Sequence, residues 1–241
     1  MNLPSPTILH EDNHLLVVVK PPGVPTQGDA SGDDALNERL KDYLKKAHNK
    51  PGEAFLGIVH RLDRPVGGVM VFAKTSKAAG RLCEQIRTRT FRKGYLAVVR
   101  GAPAPGRHTL VHHLRKDKRR NVVAVVPADA PEAKKAELTY VRQAKACACS
   151  LVEINLLTGR PHQIRVQMAT IGHPLLGDRK YGTHSGRAGS GPALWAHSLS
   201  FTHPTLRTSL TFTALPPTAT APWDSFAHAI ALCGESNPRT S

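Results

Sequence analysis

The hydrophobic pattern begins as a β-hairpin. Ile8-Leu-His-Glu-Asp-Asn-His-Leu-Leu-Val-Val-Val19 places apolar runs on either side of Asp12-Asn13, a pair suited to a turn. Lys20-Pro21-Pro22-Gly23-Val24-Pro25 stops the second run, because proline withdraws ladder donors. Asp33 or Asp34 then caps a predicted helix whose Leu36, Leu40, Tyr43, Leu44 and Ala47 share one face, ended by Asn49-Lys50-Pro51-Gly52. Val69 to Ala73 reads as a short strand, and Thr75-Ser76 caps a second helix carrying Leu82, Cys83 and Ile86.

The second half reads mostly as strands. Tyr95 to Val99 is closed by Gly101 and a Pro-rich turn. Leu110 to Leu114 and Asn121 to Val126 form a hairpin joined by Arg115 to Arg120, and Leu138 to Gln143 and Cys149 to Leu156 continue the pattern. Pro161 suits the first turn of a helix that Gly172 ends. A Gly/Ser-rich loop spans 182–191, 194–215 returns to strand pattern around Pro204-Thr205, and a disordered tail is expected over 234–241. No repeat or linker interrupts the middle. The pattern predicts one α+β domain with a large, mainly antiparallel mixed sheet and flanking helices.

Composition narrows the class. With 241 residues, 40% hydrophobic and 21% charged, the chain can bury a core. No apolar run approaches the ~18 residues that span a bilayer, and Met1 to Leu9 lacks a basic segment followed by an apolar one. A cytoplasmic protein without a membrane partner is expected. Cys83, Cys147, Cys149 and Cys233 are too scattered for a disulfide framework or a four-ligand zinc site; Cys147-x-Cys149, read in a strand, suits core packing. No histidine pair has metal-ligand spacing with a carboxylate in support, so no metal is expected.

Charge changes the picture more. The net charge is +15, and residues 81–120 carry 12 basic against 2 acidic side chains. Two-thirds of the excess thus sits in one sixth of the chain. A short charge run is most often a solvated face. A block this dense repels itself unless a polyanion neutralises it, which points to a phosphate backbone.

Three segments carry candidate chemistry. His60-Arg61-Leu62-Asp63-Arg64-Pro65 sets a carboxylate between two arginines, next to Gly67-Gly68, which permits a close backbone or ligand approach. By spacing alone an ordinary surface ion-pair loop is the simpler reading. A kinase catalytic loop has no support, since neither a Gly-rich phosphate loop nor Asp-Phe-Gly accompanies it. Leu157-Thr158-Gly159-Arg160-Pro161-His162-Gln163-Ile164-Arg165 crowds cations and amides at a helix start, where phosphate binding and a satisfied polar cap are both open. Arg92-Lys93-Gly94-Tyr95 sets a ring among cations, as core packing or as a stacking platform.

Together these segments resemble the RluA-type family of RNA pseudouridine synthases. The resemblance is carried by the opening pair through Lys20-Pro-Pro-Gly23, by His60-Arg-Leu-Asp63-Arg and by Lys93-Gly-Tyr95 with Ala97 and Gly101. It continues through Thr158-Gly-Arg-x-His-Gln-Ile-Arg165, Gly172-x-Pro174, Gly177-Asp178 and Tyr181-Gly182, then Leu194-x-Ala196-His and Phe201-x-His-Pro204. Five motifs stand in the family's order. Val19, Val66-Gly67 and Gln167 depart from the usual Asn, Thr-Ser and His, and none of them is Asp63, Tyr95 or Arg165.

The resemblance implies a catalytic domain over 1–233, without the small RNA-binding domain many relatives carry, and an active-site cleft across the sheet. It implies isomerisation of a specific uridine in rRNA or tRNA to pseudouridine, by a monomer that flips the base and needs no cofactor. Asp63 is then the catalytic carboxylate, Arg165 its charged partner and Tyr95 the ring on the flipped uracil. Arg61 enters the stack or grips phosphate; Leu62 and Ile164 line apolar walls; Arg160, Lys116, Lys118, Arg119 and Arg120 hold an RNA stem-loop. Two other classes remain: a non-catalytic RNA-binding or ribosome-assembly relative, and a metal-dependent hydrolase. Retention of Asp63, Tyr95 and Arg165 argues against the first, and the lack of a second carboxylate near Asp63 against the other.

Overall fold

The computed structural model describes residues 6–28, 32–49, 52–182 and 191–235. The Gly/Ser-rich loop read over 182–191 lies almost wholly outside the described residues, as do residues 236–241 of the expected tail. Two compact units make up the chain: residues 1–92 with 196–214, and residues 93–195 with 215–236. The α+β, mainly antiparallel architecture expected from the pattern is present, with eight strand pairings antiparallel among the described residues.

In the first unit β1 (Thr7–Glu11), β2 (Leu15–Lys20), β4 (Gly67–Ala73), β10 (Leu194–Thr202, from Ala196 onward) and β11 (Ser209–Thr213) follow one another, and the short β3 (Gly57–Ile58) joins β4. Residues Leu15 to Val18 and Val69 to Ala73 are wholly buried, so β2 and β4 are covered on both faces. Alternation sends Leu15, Val17, Val69, Val71 and Ala73 into a cluster with Ala78 and Leu82 of α2 (Ser76–Arg87), Phe91, Leu199 and Phe201. Each fully buried Val, Leu or Phe there contributes about 1.5–3 kcal/mol. The Phe91 and Phe201 rings stack at 5.2 Å.

The turn at Asp12-Asn13 does more than reverse the chain. The Asp12 carboxylate accepts the His14 and Leu15 amides at 2.6 and 2.7 Å and meets the Nε2 atoms of His10 and buried His203 at 2.8 and 3.0 Å. It thereby ties the first turn to the one between β10 and β11. Burial would raise this carboxyl; the four partners overcome that and hold it at about 2.

Two details of this unit differ from the pattern. Helix α1 (Leu36–Ala47) begins after Ala35 with no side-chain cap; the Pro25 and Thr26 carbonyls take the Leu36 and Asn37 amides, while Asp33 and Asp34 pair with Arg64 and Arg39. A turn packed against the helix start thus replaces the expected aspartate cap. Leu36, Leu40 and Leu44 are buried, but Tyr43 and Ala47 are exposed, as is Cys83 on α2. The Tyr43 hydroxyl instead donates to Glu11. Thr75 caps α2 as expected, accepting the Ala78 amide at 3.1 Å.

The second unit orders β5 (Arg92–Arg100, from Lys93 onward), β9 (Cys149–Leu156), β8 (Lys134–Ala146), β6 (Arg107–Asp117) and β7 (Val122–Val126). Strand β6 is longer than expected, so Arg115 and Lys116 lie within it, while β7 starts at Val122, one residue later than expected, and Lys118 to Asn121 form the tip. Cys147 is exposed in the two-residue turn between β8 and β9 at φ 50°, not in a strand; Ala146 pairs with Cys149 around it. Helix α3 (Gln163–Thr170) starts one residue after left-handed His162, so Pro161 stands before the helix rather than in its first turn. Gly172, at φ 83°, ends it.

Near the C-terminus a 3-10 turn (Asp224–Phe226) and α4 (Ala227–Glu235) bury Trp223, Phe226 and Ile230. This helix was not legible, because Ala-His-Ala-Ile-Ala-Leu-Cys-Gly has no clear apolar stripe. Gly234 and Glu235, placed in the expected tail, complete it. No helix among the described residues is long and apolar enough to cross a membrane.

Gly68 is the tightest backbone approach. At φ 124° it has no tolerable side chain, and an added Cβ would lie 2.1 Å from the Ala196 carbonyl oxygen on β10. Gly68→Ala is therefore expected to destabilise the protein by about 3 kcal/mol or more. Gly80→Ala, in open space on α2, should stabilise it by about 1 kcal/mol. Urea unfolding of both variants checks this; equal stabilities would contradict the packing.

Candidate active site

In the first unit the segment 60–66 is an irregular loop leading into β4, and the chain pins it at four points. The His60 imidazole accepts the Val71 amide at 3.1 Å. The Thr26 hydroxyl donates to the Leu62 carbonyl at 3.0 Å and accepts its amide at 3.3 Å. The Arg64 carbonyl accepts from the Gly23 amide at 2.9 Å and from Lys20 Nζ at 3.1 Å. The Asp63 carbonyl accepts the Val66 amide at 2.9 Å, closing a turn. Gly23 can make its part because it sits at φ 87°.

These bonds fix how Arg61, Leu62 and Asp63 are presented. Leu62 is buried, Asp63 half-buried and Arg61 exposed. Arg64, the second flanking arginine, is occupied: its Nε donates to the Gly23 carbonyl and its Nη2 pairs with Asp33. The ion-pair reading of the loop therefore holds for Arg64, whereas Arg61 has no partner among the described residues.

Lys20 is the participant that sequence reasoning missed. The pattern makes it the end of a strand, yet its side chain is wholly buried and donates to the carbonyls of Pro21, Val24 and Arg64 at 3.1, 2.7 and 3.1 Å. Three acceptors match the three protons of an ammonium. Burial pushes this amine down to about 7, the Asp63 carboxylate acts to raise it, and Arg64 lowers it further. Lys20 and Asp63 are thus electrostatic neighbours. The signal was available in Lys-Pro-Pro-Gly, where a lysine ends an otherwise apolar strand.

In the second unit Tyr95 is buried on β5, directly across from Ile154 of β9. Lys93 lies two residues away on the same face, and its amine is lowered by burial. Its Nζ would lie 3.0 Å from a Cβ on Gly159, so glycine there leaves room for the ammonium.

Helix α3 is buried along Gln163 to Met168, and its polar groups are individually satisfied. Gln163 accepts from the Thr158 hydroxyl and Arg160 amide and donates to the Glu137 carbonyl and Gln167. The polar groups of Thr158 and Gln163 are therefore satisfied by neighbouring loop and strand groups, while no side chain caps the first turn of α3. Arg160 is partly committed as well, donating Nε to the Lys135 carbonyl at 2.9 Å. Ile164 is buried.

Arg165 forms a forked ion pair with Asp178, Nε to Oδ2 at 2.7 Å and Nη2 to Oδ1 at 2.8 Å. The Asp178 side chain is fully buried. Burial would raise its carboxyl, but the Arg165 bonds and charge, with the Lys180 and Tyr181 amides, hold it below the usual range. Asp178 was also missed as a site residue, although Gly177-Asp178 stands among the motif residues. Lys116, Lys118, Arg119 and Arg120 are all exposed on the β6–β7 hairpin. Among the described residues no group of three or more His, Cys, Asp or Glu side chains is arranged to hold a metal ion.

The first unit thus presents a carboxylate on a pinned loop, and the second a buried ring on a strand and a cationic hairpin. Comparison with known proteins identifies the class of protein. The family model for RNA pseudouridylate synthase matches residues 14–170. Ribosomal large subunit pseudouridine synthase C of Buchnera aphidicola subsp. Schizaphis graminum is 37% identical over 180 residues, 73% of this chain and 54% of the relative. Ribosomal large subunit pseudouridine synthase D of Zymomonas mobilis is 36% identical over 220 residues, 87% of this chain and 69% of the relative. Two human structures, RNA Pseudouridylate Synthase Domain Containing 4 and Domain Containing 1, share the fold. Their TM-scores are 0.74 and 0.70 at 25% and 23% identity; the first covers 93% of both chains and the second all of both.

The chain belongs to the RNA pseudouridylate synthase family. It spans 54% to 62% of the length of the synthase C relatives it matches.

The forked pair makes a measurable demand. Asp178→Asn leaves a buried guanidinium without its counter-charge, which should destabilise the protein by about 3–5 kcal/mol at pH 7. Because the folded carboxyl lies below the 3.8 of an ordinary aspartate, its contribution is present above that value and lost as pH falls through the folded pKa. Urea unfolding should therefore show the wild-type and variant stabilities converging as pH drops below about 4. A gap independent of pH would contradict the role of the charge.

Proposed function

We propose that this protein is an RNA pseudouridine synthase that isomerises a specific uridine of rRNA or tRNA, with Asp63 as its catalytic carboxylate. The observation that carries the reading is the loop holding Asp63, fixed on both sides inside a chain whose family membership is established. The relatives named for the ribosomal large subunit favour rRNA. A cytoplasmic monomer acting on a stem-loop completes the reading.

The reaction breaks the bond between ribose C1′ and uracil N1, rotates the base and joins C1′ to C5; the C5 proton leaves and N1 gains one. A carboxylate serves this in either of two ways, by attacking C1′ to release uracil or by taking a proton from the sugar. In this reading the base is flipped out of the stack, Arg61 compensates for it, Leu62 and Ile164 each supply apolar surface and Tyr95 packs on the uracil. Arg165, forked onto Asp178 through Nε and Nη2, is in this reading the charged partner of the catalytic carboxylate.

Asp63→Asn keeps the side chain's shape and removes its charge and nucleophilic oxygen. Single-turnover tritium release from C5 of uridine in unmodified large-subunit rRNA should fall by at least about a thousandfold, with RNA affinity unchanged or slightly tighter. A substantial residual rate would end the assignment of this loop.

Neutralising Lys116, Lys118, Arg119 and Arg120 together should weaken binding and flatten its salt dependence by about 0.7–0.9 for each phosphate no longer neutralised. The single-turnover rate at saturating RNA should fall by no more than about twofold. Binding titrations at several salt concentrations decide this, and an unchanged slope would show that the hairpin does not face RNA.

A further inference from the structure

Tyr181 occupies a junction within the second unit that the proposed reaction does not use. Its hydroxyl accepts the Val123 amide at 2.8 Å and shares a hydrogen bond with His162 Nδ1 at 2.6 Å. Val123 is the second residue of β7, just past the cationic tip, and His162 is the left-handed residue that starts α3. The Tyr181 ring packs against Leu114, Val123, Ala136 and Val166, and the Arg165 guanidinium lies 5.2 Å from its centre. That separation is within cation–π range.

The flanking residues repeat the connection. Lys180 Nζ donates to the Asn121 carbonyl in the hairpin tip at 2.8 Å, and Asn121 is itself held in the left-handed region at φ 50°. The Lys180 and Tyr181 amides donate to Asp178 Oδ1, whose carboxylate also carries the fork to Arg165. One short segment, Asp178 to Tyr181, therefore grips both the hairpin tip and the arginine.

We propose that Tyr181 is a positioning residue with two separable duties: its hydroxyl fixes the β6–β7 hairpin for RNA, and its ring fixes the Arg165 guanidinium for the chemical step. This rests on the proposed function, since the hairpin is taken as the RNA grip and Arg165 as the partner of Asp63. The hydroxyl bonds to Val123 and His162 reach β7 and the helix start; the ring meets the guanidinium and the small core beneath it. Removing one part leaves the other in place.

The test separates affinity from rate, using unmodified transcribed large-subunit rRNA as the probe. Tyr181→Phe keeps the ring and loses the hydroxyl. RNA affinity should weaken about fivefold with a shallower salt slope, the single-turnover rate at saturating RNA should fall less than threefold, and the Val123 amide should lose hydrogen-exchange protection. Tyr181→Leu keeps apolar packing on the core and removes the ring as well; its rate should fall at least tenfold beyond that of Tyr181→Phe. If the Leu variant does not fold, Tyr181→Met takes its place. A purely structural role would move affinity and rate together in both variants, and that result overturns the proposal. So does wild-type affinity and Val123 protection in Tyr181→Phe. If the wild-type chain binds this RNA but does not isomerise it, the functional reading and the ring's duty fail together, while the hydroxyl's duty stands or falls on affinity and exchange.

Discussion

A single buried ammonium organises the first unit's loop. Lys20 has no exposure, and its three protons are spent on carbonyls from Pro21, Val24 and Arg64, two of them in its own turn and one far along the chain. Desolvation lowers this amine to about 7, while its three acceptors and the nearby Asp63 charge favour the charged form. The consequence is geometric. The Arg64 carbonyl cannot leave Lys20 and Gly23 without orphaning a buried charge, so the residue before it, Asp63, is held on a backbone that has nowhere to relax. A catalytic group benefits from such preorganisation, because no ordering remains to be done when substrate arrives.

The second unit achieves a comparable result by different means. Its organising charge is the Arg165–Asp178 fork, buried on α3 and backed by two amides. Around it, a helix with almost no exposed surface carries Gln163 and Gln167 where an ordinary core would carry apolar residues. Gln167 departs from the family's usual His, and its amide is nonetheless fully engaged, donating toward Leu110, Ala136 and His112 while accepting from Gln163. Val66-Gly67 is a departure of another kind. The residue that follows, Gly68, is the one the backbone demands, since the chain passes against Ala196 where no Cβ fits. The sequence pattern anticipated a close approach there and left open what would approach.

Legibility followed the strength of local signals. Strands built from apolar runs, the Asp12 turn, the Thr75 cap and the stop at Gly172 could be read because each rests on residues adjacent in sequence. The Asp33 and Asp34 caps do not form because carbonyls from Pro25 and Thr26, remote in pattern, satisfy the same amides. Cys147 leaves the expected strand because a two-residue hairpin turn interrupts what looks like a continuous run. Helix α4 was invisible because its sequence is apolar on most sides. Asp63, Tyr95 and Arg165 were singled out through motif order, while Lys20, Asp178 and Tyr181 stand in the same motifs with no role that sequence alone suggests. Burial supplies their roles, and burial of a polar side chain is not written in a single sequence.

The central claim is that this chain makes pseudouridine and that Asp63 does the work. A pseudouridine map of total RNA from cells lacking the gene, and from the same cells carrying either the wild-type gene or Asp63→Asn, tests it most directly. The account predicts that at least one uridine loses its modification, that the wild-type gene restores it and that the Asp63→Asn gene does not. An unchanged map in the deletion, or restoration by Asp63→Asn, would contradict it.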